Sequence, residues 1–139
     1  MKYDEFISEV QQRAHLSSRE EAERATQATF ETLGERLTDT EARDLAAQLP
    51  AEIATSLRSS FTKSGESFSL DEFFNRVSQR EGVPLSDATL HARVVTGLLC
   101  EVVTMGEIEN VRAQLPEDIR QLFMVENEGE LPEVPQVDE

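Results

Sequence analysis

The sequence predicts an all-α fold, a single compact bundle of about eight helices built from two related four-helix units. Three observations lead to it. First, the chain repeats itself: Asp4-Glu5-Phe6 returns as Asp71-Glu72-Phe73, and Ala47-Gln48-Leu49-Pro50 returns as Ala113-Gln114-Leu115-Pro116. Between these anchors Val10, Gln12 and Arg13 match Val77, Gln79 and Arg80, and beyond them Ile53 matches Ile119. The offset slips from 67 to 66 residues on the way, so one copy has gained or lost a single residue. A repeat of this length is a small helical unit rather than one rung of a solenoid. Second, apolar residues recur at the i, i+3, i+4, i+7 spacing that gives a helix one apolar face. Third, Ser or Thr followed three residues later by Glu, a pattern that satisfies free N–H groups at a helix start, occurs in both copies.

In chain order, Tyr3, Phe6, Ile7, Val10 and Ala14 give the first helix its apolar face. Leu70, Phe73, Phe74 and Val77 repeat it, with Ser69 and Glu72 as a capping box. A longer second helix opens at Ser17 with Glu20 and runs through Ala22, Ala25, Thr29, Phe30, Leu33 and Leu37. Its counterpart follows Pro84 and Ser86 and runs from Ala88 to Val103. The earlier helix has alternating charge and a narrow apolar stripe, whereas the later one carries Leu90, Val94, Val95, Leu98, Leu99, Val102 and Val103. A helix apolar round most of its circumference is buried on most sides. Leu90–Val103 is therefore expected at the centre, with Thr96 and Gly97 admitting a close neighbour.

Thr38 with Glu41 and Thr104 with Glu107 open a short third helix in each copy, with Leu45 and Leu49, or Val111 and Leu115, facing inward. Pro50 and Pro116 stop it and suit the first turn of a fourth, where a missing N–H costs nothing. Ile53, Leu57 and Phe61 form the stripe of that helix, as do Ile119, Leu122 and Phe123 in the second copy. The expected organisation is one helical domain over residues 1–124, with repeat one at about 1–61, a hinge at 62–68 and repeat two at about 69–124. Residues 125–139 carry six acidic side chains and little to bury, the composition of a disordered acidic tail.

Tyr3-Asp4-Glu5-Phe6-Ile7, the long second helix and the Leu-Pro step after each third helix resemble the bacterial and archaeal domain-of-unknown-function family 2267. The resemblance covers roughly residues 1–124 and implies two related all-helical halves. It implies no activity, so no residue acquires a role from it.

Composition narrows the function classes. The net charge is −15, with two lysines (Lys2 and Lys63) against eleven arginines. Such a Glu-rich, Lys-poor surface suits either a salt-loving host, whose salt screens repulsion between carboxylates, or an ordinary acidic bacterial protein. Nucleic acid is not an expected partner, because the phosphate backbone calls for a basic face. The N-terminus lacks an apolar stretch and Leu90–Val103 is interrupted by His91, Arg93 and Glu101, so neither a secretory signal nor a membrane span is expected. With Cys100 as the single cysteine, the reading is a soluble cytoplasmic protein without disulfide or multi-cysteine zinc site.

No catalytic, cofactor-binding or metal-ligating set stands out. His15 ends the first helix, where a cation suits the free carbonyls, and His91 lies near the start of the apolar helix. His91 and Cys100, nine residues apart, point about half a turn away from each other and form no pair. Cys100 reads as a buried inert thiol. The segment around Gly65 offers Ser60, Thr62, Ser64 and Asp71 at calcium-loop spacing, and neutral hydroxyls there are poor ligands for that ion. Glu20, Glu21, Glu23, Glu107 and Glu109 suit helix N-termini rather than a catalytic pair. The leading expectation is a non-enzymatic protein-interaction or self-assembly module, with no cofactor. The alternative is a small-ligand binder or enzyme using a cleft between the repeats, flanked by Arg13 and Arg80, which equally suit pairing with glutamates.

Overall fold

The computed structural model of the chain describes residues 1–59 and 66–113 together with Arg120 and Leu122. Its regular elements there are seven helices: α1 (Tyr3–Arg13), α2 (Arg19–Arg36), α3 (Asp39–Ala46), α4 (Ala51–Arg58), α5 (Leu70–Glu81), α6 (Leu85–Val102) and α7 (Met105–Ala113). The fold is all-α. Of the eighth helix expected after Pro116, only Arg120 and the buried Leu122 lie within the described residues. The expected tail lies outside them, as do Phe61 and the part of the expected hinge up to Gly65.

The helix starts follow the sequence with small shifts. α2 is capped by Ser18, whose Oγ accepts from Glu21 N at 3.2 Å, one residue later than the Ser17–Glu20 pairing expected. Ser17 instead donates from both N and Oγ to Glu21 Oε1 at 3.0 Å. Ser69, Thr38 and Thr104 accept from the backbone N–H of Glu72, Glu41 and Glu107. The Glu72 carboxylate turns to Arg76 at 2.8 Å rather than back to the helix start. α6 begins at Leu85 immediately after Pro84, three residues before the expected Ala88.

The core joins Phe6, Ile7 and Val10 of α1 to Phe30 and Leu33 of α2, Ile53 and Leu57 of α4, Phe73 and Val77 of α5, and Val95, Leu98 and Leu99 of α6. Its centre differs from the expectation. α2 packs against α1, α4, α5 and α6, and from Ala28 to Leu37 every residue except Glu31 is buried. On α6, Leu90 is exposed and Val94 and Val102 are half-buried. Two physical devices let the less apolar helix take the middle. Thr32 returns its hydroxyl to Ala28 O at 2.8 Å, which satisfies the group internally, and Glu35 is neutralised by arginines from α5. Gly97 admits no close neighbour, since a Cβ built there meets nothing within 4 Å.

α3 packs against α4 and α7. Thr104 N donates to Gln48 Oε1 at 3.0 Å, tying the end of the α3 segment to the start of α7. Glu41 and Glu107 are both buried, and Glu41 Oε1 and Glu107 Oε2 have no hydrogen-bond partner. Burial first, and Asp44 second, push the Glu41 carboxyl up. Burial, then Glu41, then Asp44 do the same to Glu107.

Candidate functional site

Arg13 and Arg80, singled out by the repeat, are each held by a carboxylate on a helix of the other copy. Arg13 at the end of α1 makes a two-pronged contact with Glu101 of α6, at 2.8 and 3.1 Å, and a third with Glu9 at 3.0 Å. Arg80 of α5 bonds both carboxylate oxygens of Glu35 on α2 and donates to Thr32 Oγ1 at 2.8 Å. The partners are themselves matched, because Glu35 and Glu101 stand at the same 66-residue offset. Around Arg80 lies a cleft of about 210 Å³ lined by Glu35, Glu66, Glu72, Arg76, Gln79 and Arg80.

The guanidinium donors of that cleft are already engaged. Arg76 reaches Glu35 at 3.0 Å, Glu66 at 3.1 and 2.8 Å and Glu72 at 2.8 Å, and its guanidinium carbon lies 4.0 Å from the Phe68 ring centroid. Glu66 N donates in turn to Glu35 O at 2.9 Å, so the described end of the expected hinge is tied to α2. Burial raises the Glu35 carboxyl, but hydrogen bonds from Arg80 and Arg76 outweigh it and hold the group below the ordinary carboxylate range. An anion entering here would displace carboxylates from the arginines while facing the same negative groups. The geometry is that of a structural ion network.

His15 is exposed and takes a left-handed conformation, φ +57°, at the end of α1. Cys100 is half-buried at the edge of the core rather than fully inside it. Glu20, Glu23 and Glu109 are surface or half-buried side chains, and no group of three or more His, Cys, Asp or Glu among the described residues is arranged to hold a metal ion. The calcium-like spacing around Gly65 falls largely outside the described residues.

The corner between α5 and α6 differs in chemistry from the sequence-matched corner between α1 and α2. Gly82, at φ +76°, ends α5 and lets the chain turn; Val83 N returns to Ser78 O at 3.3 Å, and Pro84 leads into α6. Beneath this turn, His91 Nδ1 lies 2.5 Å from Glu81 Oε2, with the two residues only 6% and 5% exposed. Glu81 Oε1 is buried without a partner. Burial pushes the Glu81 carboxyl up, against the pull of His91 and of Arg24 on α2, while Asp87 adds to the rise. At the matched positions of the first copy stand Ala14 and Ala25, both buried.

Above the pair, the outer face changes character as well. The first turns of α2 read Arg19-Glu20-Glu21-Ala22-Glu23-Arg24, and the matched turns of α6 read Leu85-Ser86-Asp87-Ala88-Thr89-Leu90. Five charges have become one. In the first copy the charges are used locally, for Arg19 reaches Asp4 at 2.8 Å and Glu23 at 3.2 Å. In the second, Leu85 and Leu90 are left 48% and 42% exposed. Five residues apart, they lie about 140° apart round the helix. The sequence reading marked this helix by its apolarity but placed it inside. Laying the two copies side by side is the signal that finds its exposed end.

Over residues 3–122 the chain matches the family described as "Uncharacterized conserved protein (DUF2267)". It belongs to that family. No curated protein matches the chain. The family assignment agrees with the resemblance read from the sequence and carries no reaction with it. Among the described residues of this DUF2267 chain, no helix is long and apolar enough to cross a membrane.

Proposed function

We propose that the chain is a non-enzymatic, two-repeat helical module, four helices to a repeat, that docks another protein through the amino-terminal end of α6. The observation that carries this reading is the replacement of the charged turns Arg19–Arg24 by Leu85–Leu90, which leaves two large leucines in water on the second copy alone. Single exposed leucines are ordinary, but a pair flanking one helix end, at positions that the same scaffold fills with arginine elsewhere, departs from what solubility favours.

The occupant is a basic, apolar-sided segment of a different protein. A second copy is disfavoured because each chain carries a net charge of −15. A cationic segment would be drawn in by the overall field and then anchored on the leucines.

Leu85→Arg/Leu90→Arg restores the residues of the first copy and tests the reading. In affinity capture from the host with quantitative mass spectrometry, a prey bearing a basic apolar segment is expected to fall at least about tenfold with the variant, the equivalent of 1.4 kcal/mol. Cross-linking through photoreactive groups at positions 85 and 90 should map to that segment. The same prey at the same yield from both chains, or dimerisation of the pure protein in light scattering at low and high salt, would overturn the assignment.

A further inference from the structure

We propose that the buried Glu81–His91 pair is a proton-operated latch on the docking end of α6. With one proton held between them, the two side chains pin the last residue of α5 to the second turn of α6. When that proton leaves to solvent, a net negative charge is buried and the corner opens more readily. The proposal supplies the regulation of the docking surface and rests on that reading for its consequence.

Four observations carry it. The scaffold does not need the pair, since Ala14 and Ala25, both buried, stand at the matched positions of the first copy. Nor is the pair a good means of stabilisation: taking two ionisable groups out of water costs several kcal/mol per ion, and the attraction between them repays this only when every remaining polar atom is satisfied. Here Glu81 Oε1 is not. The pair also bridges the two elements that meet at Gly82, with Glu81 closing α5 and His91 directly following the exposed Leu90. Finally, the surroundings leave its charge balance to one proton. The groups bearing on Glu81 are His91 and Asp87 from α6 and Arg24 from α2. The neighbouring Arg80 of α5 is committed to Glu35 and Thr32, and Arg13 of α1 is committed to Glu101 near the far end of α6.

The measurement is amide hydrogen exchange of the intact chain at steps from about pH 5 to pH 8. It is read as the ratio of wild type to Glu81→Gln at each pH, so that intrinsic exchange cancels. Protection of the α6 amides from Ala88 to Val95 in the wild type is expected to fall relative to the variant as pH rises. One proton of linkage limits the change to about tenfold per pH unit, and the ratio for α2 amides stays level. Glu81→Ala/His91→Ala, which installs the residues already packed at Ala14 and Ala25, serves as a second reference and gives the same pH-dependent ratio. A ratio constant across the range for both variants overturns the latch. Leu85→Arg/Leu90→Arg keeps the pH dependence, because it leaves the buried Glu81 and His91 in place. Partner capture therefore judges the docking surface, and exchange judges the latch.

Discussion

At the scale of single residues, the turns that end α1 and α5 are built alike from different amino acids. α1 and α5 both end in a left-handed residue, His15 at φ +57° and Gly82 at φ +76°. The turn geometry is shared: Leu16 N bonds Gln11 O at 2.9 Å and Val83 N bonds Ser78 O at 3.3 Å, each five residues back as a Schellman ending requires. A side chain at positive φ pushes its Cβ against the following carbonyl, which costs about 1–2 kcal/mol. His15→Gly is therefore expected to raise stability by about 0.5–1 kcal/mol after the extra unfolded-chain entropy of glycine is subtracted. Gly82→Ala should lower it by about 1 kcal/mol, a purely backbone effect because nothing lies within 4 Å of the added Cβ. Urea midpoints of the three chains check both signs. The sequence places His15 correctly at a helix end but for another reason, the attraction of a cation to free carbonyls. Its backbone role becomes legible once residue 15 is aligned with Gly82.

At the scale of elements, the arginine–carboxylate contacts tie α1 to α6 and α5 to α2, and their surroundings set their worth. Glu35 is buried and engaged by Arg76 and Arg80. Replacing it with glutamine keeps the shape, removes the charge and leaves guanidiniums facing a weaker acceptor, which costs about 2–3 kcal/mol. Glu101, its counterpart, stands in water opposite an exposed Arg13. Glu101→Gln should cost less than about 1 kcal/mol. Thermal or urea unfolding of the two variants reads the difference directly, and equal losses would mean that burial does not control these contacts. The apolar spacing of α1, α3, α4 and α5 makes those helices legible in the sequence. The centrality of α2 is not, because hydropathy counts Thr32 and Glu35 as surface residues, whereas a threonine bonded to its own helix or a carboxylate met by two arginines is buried at little cost. The Glu81–His91 contact escapes the sequence for a related reason. Ten residues and a turn separate the partners, and helix periodicity says nothing across a turn.

At the scale of the whole molecule, the buried carboxylates and the surface charge act in the same direction over most of the pH range. Glu41, Glu81 and Glu107 are held above the ordinary carboxylate value, chiefly by burial. A group of this kind binds its proton more tightly in the folded chain than in the unfolded one. The stability it contributes is full below the unfolded value of about 4.3 and is lost as pH rises through the folded value. Glu35 has the opposite sign: it lies below the ordinary range, so its contribution is full above about 4.3 and is lost as pH falls through its folded value. A net charge of −15 adds general repulsion that grows as carboxylates ionise. Stability is therefore expected to rise as pH is lowered through the raised values of these carboxylates and to fall again under stronger acid, when Glu35 protonates. Raising salt from about 0.1 M to 1 M shortens the screening length from about 10 Å to about 3 Å, so at neutral pH it should stabilise the chain. The gain from salt should shrink as pH falls and the carboxylates held above the ordinary range take up protons, removing part of the repulsion themselves. Urea unfolding followed by circular dichroism across this pH and salt grid tests the account. A maximum near neutral pH together with destabilisation by salt would mean that attractive ion pairs, not buried and crowded carboxylates, govern the electrostatics of this fold.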